Sequence, residues 1–91
     1  MTIQQAIELG VKHHNAGDLP KAERIYQQIL QAEPKQPDAL QLLGVIAGQM
    51  GKNDIAVDLI GKALAIKPDF AEAHGNLGLA LQELGMLEDA V

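Results

Sequence analysis

Apolar residues recur along this chain at helical spacing, and glycine and proline interrupt the rhythm at regular places. Ile3, Ala6, Ile7 and Gly10 keep one face, and Thr2 followed three residues later by Gln5 has the form of a capping box, so a first helix is predicted from there to Gly17. Gly17 can take the left-handed backbone that ends a helix, Asp18 can offer its carboxylate to free N–H groups, and Pro20 suits the first turn of the next helix. Ala22, Ile25, Tyr26, Ile29 and Leu30 mark the buried stripe of that second helix. The segment Pro34-Lys35-Gln36-Pro37-Asp38 breaks it.

A second pair of helices follows the same plan. Leu40, Leu43, Gly44, Ala47 and Met50 line one face, and Gly51 ends that helix. Asn53 or Asp54 is placed to cap the next, whose stripe is Ile55, Ala56, Leu59, Ile60, Ala63 and Leu64. Pro68 closes the unit. A third begins near Phe70 or Ala71, carries Leu77, Gly78, Leu81 and Leu84, and is expected to turn at Gly85, shortly before the last residue, Val91.

These units are copies at an offset of 34 residues: Leu9, Leu43 and Leu77 are each followed by glycine, at Gly10, Gly44 and Gly78. The same offset relates Gly17, Gly51 and Gly85, then Ala22, Ala56 and Ala90, then Pro34 and Pro68. A unit of this size that cannot bury its own apolar face must stack on neighbours, so the pattern predicts an all-α solenoid of helical hairpins. The expected single domain spans 1–91, with repeats at about 3–36 and 37–70 and an incomplete third at 71–91. Mid-helix glycine costs about 1 kcal/mol relative to alanine, so the recurrence of Gly10, Gly44 and Gly78 implies close approach between helices, with Ala22, Ala56 and Ala90 facing them.

Composition narrows the function. Twelve acidic residues against seven basic ones leave a net charge of −5, the wrong sign for the counterion release that drives nucleic-acid binding. One Tyr and one Phe offer no platform for stacked bases, which again argues against a nucleic-acid partner. The absence of cysteine removes disulfides and thiolate zinc sites and fits a reducing compartment. No basic, apolar leader opens the chain and no stretch approaches the roughly 20 apolar residues of a spanning helix, so a cytoplasmic protein without membrane insertion is expected.

The residue skeleton resembles the tetratricopeptide repeat. The first unit reads Ala6-x2-Leu9-Gly10-x2-His13, then Ala22-x3-Tyr26, then Pro34. The second reads Leu40-x2-Leu43-Gly44-x2-Ala47, Ala56-x3-Ile60, Pro68, and the third His74-x2-Leu77-Gly78-x2-Leu81, then Ala90. Departures fall at the large aromatic positions, which hold Ala6, His13, His74 and Ala47. The resemblance implies a right-handed superhelix and a concave groove lined by the first helix of each unit. On that basis the groove candidates are Glu8, Val11 and Asn15; Gln41, Leu42, Val45 and Gln49; and Asn76, Leu79, Gln82 and Glu83. Val11, Val45 and Leu79 form an apolar column flanked by amides and carboxylates, a mixture suited to holding a peptide. The column serves inter-repeat packing equally well, and polar residues on a helix face are ordinarily just solvated.

Two subsets of the family bear on the partner. One grips a terminal carboxylate with groove lysines and asparagines; here the corresponding positions are Ile7, Val11, Leu42, Glu72 and Asn76, with no lysine among them. An acidic peptide would meet Glu8, Asp38, Glu72 and Glu83 instead. The stretch from Phe70 to Gly78 looks like the repeats that precede the catalytic region of O-linked N-acetylglucosamine transferases, where a ladder of asparagines binds peptide backbone. Only Asn76 keeps that rung, since Glu8 and Leu42 take the equivalent places.

Nothing in the residues points to catalysis, a cofactor or a metal. Adjacent His13 and His14 point about 100° apart on a helix, His13 and His74 occupy packing positions, and no nucleophile or carboxylate stands at ligand spacing. Gly44-x-x-x-Gly48 has the form of a membrane packing motif, but Gln41 and Gln49 bracket it, which favours repeat packing and an open groove floor. The third period stops at Ala90 and Val91, so the chain reads as the N-terminal piece of a longer one, with Leu77, Leu81, Leu84, Leu87 and Val91 short of cover. The expected function is a protein-interaction scaffold that takes a protein or peptide in its groove. The alternatives are a substrate-recruiting arm of a glycosyltransferase-like enzyme encoded downstream, and a module that self-associates through its third repeat.

Overall fold

The computed structural model describes residues 1–89, with side chains as far as residue 85. Five helices and no strand occur among them: α1 (Ile3–Asn15), α2 (Leu19–Ala32), α3 (Pro37–Gln49), α4 (Asn53–Ile66) and α5 (Ala71–Asp89). Each helix packs on the next, and beyond that only α1 on α3 and α3 on α5. The result is an elongated stack, 45 × 28 × 20 Å, with α1, α3 and α5 side by side.

The two tight hairpins are made the same way. Gly17 (φ 84°) and Gly51 (φ 81°) are the only residues with positive φ among those described, and a methyl group at either would meet nothing within 4 Å, so the demand for glycine is conformational. In the first hairpin the N–H of Gly17 donates to His14 O and that of Asp18 to His13 O, at 3.0 and 2.9 Å. Gly51 and Lys52 repeat this with Gly48 O and Ala47 O, at 3.1 and 2.8 Å, so both helices end in a Schellman motif.

The helix starts differ. The capping box of α1 forms, with Gln5 N–H donating to Thr2 Oγ1 and Thr2 N–H to Gln5 Oε1. Asp18 Oδ1 accepts from Lys21 N–H at 3.2 Å, and Pro20 sits in the first turn of α2. At α3 an unforeseen cap appears, in which Gln36 Oε1 accepts from the N–H groups of Asp38 and Ala39. The cap expected from Asn53 or Asp54 does not form: Lys52 holds the cap position without a side-chain bond, because the Schellman turn brings Asn53 into the helix as its first residue.

A second correction concerns Gly85. The expected turn is absent, and α5 runs through this position to Asp89. Left-handed backbone at Gly17 and Gly51 is rewarded by a following helix that packs back; no helix beyond α5 does so among the described residues, and Met86-Leu87-Glu88 sustains helix locally. Ala90, expected opposite Gly78, lies outside the described residues.

Two apolar clusters form the core. Ile7, Ala22, Tyr26, Ile29, Ala39 and Ile46 make the first, and Ala47, Ala56, Ile60, Ala73 and Ala80 the second. The conserved-offset glycines do meet close neighbours, though mainly not the alanines expected. A methyl at Gly10 would overlap the Tyr26 ring, coming within 2.8 Å of Cζ. One at Gly44 would lie 2.7 Å from Ile60 Cγ1 and 3.3 Å from the Ala56 carbonyl oxygen. Gly78 has nothing within 4 Å, and the position 34 residues past Ile60 would fall after Val91.

Candidate functional site

Between α3 and α5 lies a concavity of about 450 Å³. Its walls are Val45 and Gln49 from α3 and Asn76, Leu79, Ala80 and Glu83 from α5. Its floor comes from α4, through Asn53, Ala56 and Ile60, seen across Gly44 and Gly48. The glycines explain why the floor is reachable. A methyl at Gly48 would sit 3.5 Å from Asn53 Oδ1 and 3.7 Å from Ala56 Cβ, so any larger side chain there would cover both.

Of the groove candidates, the structure brings Val45, Gln49, Asn76, Leu79 and Glu83 together on this cavity. Leu79 is 60% exposed, an unusual state for leucine on a helix face that borders a cavity. Gln82 is exposed on the same helix but does not line it. Leu42 packs against the first core cluster, and so does Val11, which places two of the expected groove side chains partly in inter-repeat packing. Glu8 and Asn15 are exposed on α1, away from the cavity.

Gln41 is 1% exposed, buried beside the groove rather than displayed in it. Its Oε1 accepts from Asn76 Nδ2 at 2.6 Å, which fixes the Asn76 amide and leaves that residue's own oxygen for another donor. A second cross-repeat bond joins His14 Nε2 to Gln49 Oε1 at 2.7 Å. The third histidine, His74, donates Nε2 to Pro68 O at 2.7 Å and so ties α5 to the preceding loop. Two of the three histidines thus have structural partners. Among the described residues no group of three or more His, Asp or Glu is placed to hold a metal ion, and no helix is long and apolar enough to cross a membrane.

Asn53, Ala56 and Ile60 line the cavity although the repeat pattern points to groove positions only on the odd-numbered helices. The available signal was Gly48. A second glycine one turn after Gly44 strips α3 of side chains on the side facing α4, so that α4 residues form the floor of the cavity.

A second concavity of about 340 Å³ lies on the free side of the first hairpin, lined largely by Ile3, Ala6, Leu9, Ile25, Ile29 and Ala32. It is apolar and carries no hydrogen-bonding side chain beyond Thr2 and Gln28.

A model of the TPR repeat family matches residues 48–85, the stretch that runs from the end of α3 along the cavity floor and into α5. The chain is built of tetratricopeptide repeats. Its TPR sequence is 40% identical over 89 residues to a UDP-N-acetylglucosamine peptide N-acetylglucosaminyltransferase of Caenorhabditis elegans, covering 98% of this chain and 8% of that protein. It is 33% identical over 78 residues to the probable transferase of the same type called SEC from Arabidopsis thaliana, covering 86% of this chain and 8% of the relative. The solved structure of a mutant O-GlcNAc transferase from Thermobaculum terrenum matches with a TM-score of 0.85 at 33% identity, over 87% of this chain and 15% of that one. The chain therefore spans less than a tenth of the length of these two curated relatives.

Proposed function

We propose that these repeats are a non-catalytic protein-interaction module that holds an extended segment of a partner along the face formed by α1, α3 and α5. The observation that carries this reading is the cavity between α3 and α5, whose apolar walls at Val45 and Leu79 adjoin the amides of Gln49, Asn53 and Asn76. Such a mixture suits a peptide, which brings backbone amides and side chains together. The net charge of −5 supports a protein rather than a nucleic acid in that place.

The chain has no cysteine, so a single introduced thiol can carry a photo-crosslinker. Leu79→Cys, at the cavity wall, should yield crosslinked partner from cell extract, whereas Lys62→Cys, on the exposed side of α4, should not. Crosslinks obtained only from position 62 would overturn the groove reading.

The transferase relatives favour a second reading, in which the same groove recruits substrates for a glycosyltransferase region that follows the repeats. Any coding sequence continuous with this chain past Val91 would distinguish the two: further repeats with a polar end favour a scaffold, and an α/β nucleotide-sugar domain favours the recruiting arm.

A further inference from the structure

We infer that the segment held in this groove is basic: an apolar side chain enters the cavity between α3 and α5, and Lys or Arg residues flank it. The inference rests on the groove reading above and adds the chemistry of the guest.

The charge of this chain is not spread evenly between its odd- and even-numbered helices. Helices α1, α3 and α5 together carry six acidic residues and one basic residue, Lys12, which accounts for the whole net charge of −5. The even helices and the connecting segments carry six of each sign and are neutral. Without Glu88 and Asp89 at the far end of α5 the odd helices still hold four acids, Glu8, Asp38, Glu72 and Glu83, against that one lysine. The one ion pair among the described residues, Lys62 with Asp58, lies on α4, so none of these four is neutralised by a described partner. Glu83 borders the low-dielectric concavity directly, with no cation among the residues that line it, so the potential there is negative.

The cavity itself sets the rest of the guest. Glu83 stands at its rim, while Val45, Leu79, Ala80, Ala56 and Ile60 give it an apolar interior with room for a leucine- or methionine-sized side chain and adjoining backbone. Asn53, on the floor, is 9% exposed and turns a side-chain amide towards the cavity. With Gln49 and Asn76 it offers amide donors and acceptors that a peptide backbone can match and a purely aliphatic guest cannot. A second copy of this chain is the poorer occupant, because it brings the same acidic face or a neutral one and no basic strip.

The test uses the whole 91-residue chain, labelled with ¹⁵N, and two blocked heptapeptides as probes, Ser-Arg-Gly-Leu-Gly-Arg-Ser and its counterpart with Glu for both Arg. The Arg peptide should shift the amides of Val45, Gln49 and Leu79 and bind about tenfold more tightly than the Glu peptide at low ionic strength, with the ratio shrinking as salt is added. Glu83→Lys should cut that ratio severalfold, and Lys62→Ala, away from the cavity, should leave it unchanged. Equal binding of the two peptides at these amides, or preference for Glu, would overturn the basic guest and leave groove binding intact. If neither peptide moved a groove amide at millimolar concentration, the groove reading would fall together with this inference.

Discussion

Gly10 and Gly78 stand at the same point of the repeat, two periods apart, and meet opposite surroundings. Gly10 is buried with the Tyr26 ring pressed against its Cα, while Gly78 is exposed with nothing within 4 Å of where a side chain would start. Gly44 is intermediate in kind, closed by the more yielding Ile60 and by the Ala56 carbonyl. A repeated letter therefore does not carry a repeated force. Glycine is required where the second helix of the hairpin lies over it, and it is a local cost where no described helix does.

That contrast can be broken most directly at Gly10. Gly10→Leu should destabilise the domain by about 3 kcal/mol, since the blocking atoms belong to a rigid, fully buried ring. Gly44→Leu should cost about 2 kcal/mol, because Ile60 can change rotamer although the Ala56 carbonyl cannot move away. Urea melts would rank the two, and a Gly10→Leu variant as stable as the parent would refute the packing account.

Tyr26 sharpens the comparison from the other side of the contact. Its ring is fully buried and its hydroxyl has no hydrogen-bond partner. Tyr26→Phe removes that hydroxyl and keeps the ring, so it should stabilise the domain by about 1 kcal/mol. Burial also pushes the phenol up from 10.0 to about 12. Between those values the folded chain keeps a proton that the unfolded chain releases, so this group's contribution is complete below pH 10 and is lost as pH rises towards about 12. Urea midpoints taken across that window should fall less steeply for Tyr26→Phe than for the parent; parallel slopes would show that Tyr26 does not govern it.

The smallest effect is expected at Gly78. Gly78→Ala should raise stability by about 0.5–1 kcal/mol through helix propensity alone. Thermal denaturation would register this as an increase of a few degrees for a domain of this size, and a decrease would mean that something close to Gly78 fills the space.

Much of this architecture is legible in the residues, for reasons that differ by element. The hairpin turns are, because Gly17 and Gly51 must take positive φ and few other residues can. The stripe of α2 is, because that helix buries one side. The central helix α3 is less so: it contacts all four other described helices, and its buried arc takes in Ala39, Gln41 and Ile46, which no single stripe predicts. Gly85 misleads because a turn residue makes a turn only when a returning helix stabilises it. The cavity is half legible, since its walls follow the repeat register while its floor depends on seeing through Gly44 and Gly48 to α4.

Among the described residues no helix touches anything beyond its second neighbour in the chain. Every contact can form after closing only a short loop, so the search for the native state is local, and helix pairs can dock in sequence without waiting for distant parts to meet. Folding should accordingly run on the microsecond to millisecond scale typical of helical domains, a rate that temperature-jump relaxation can time.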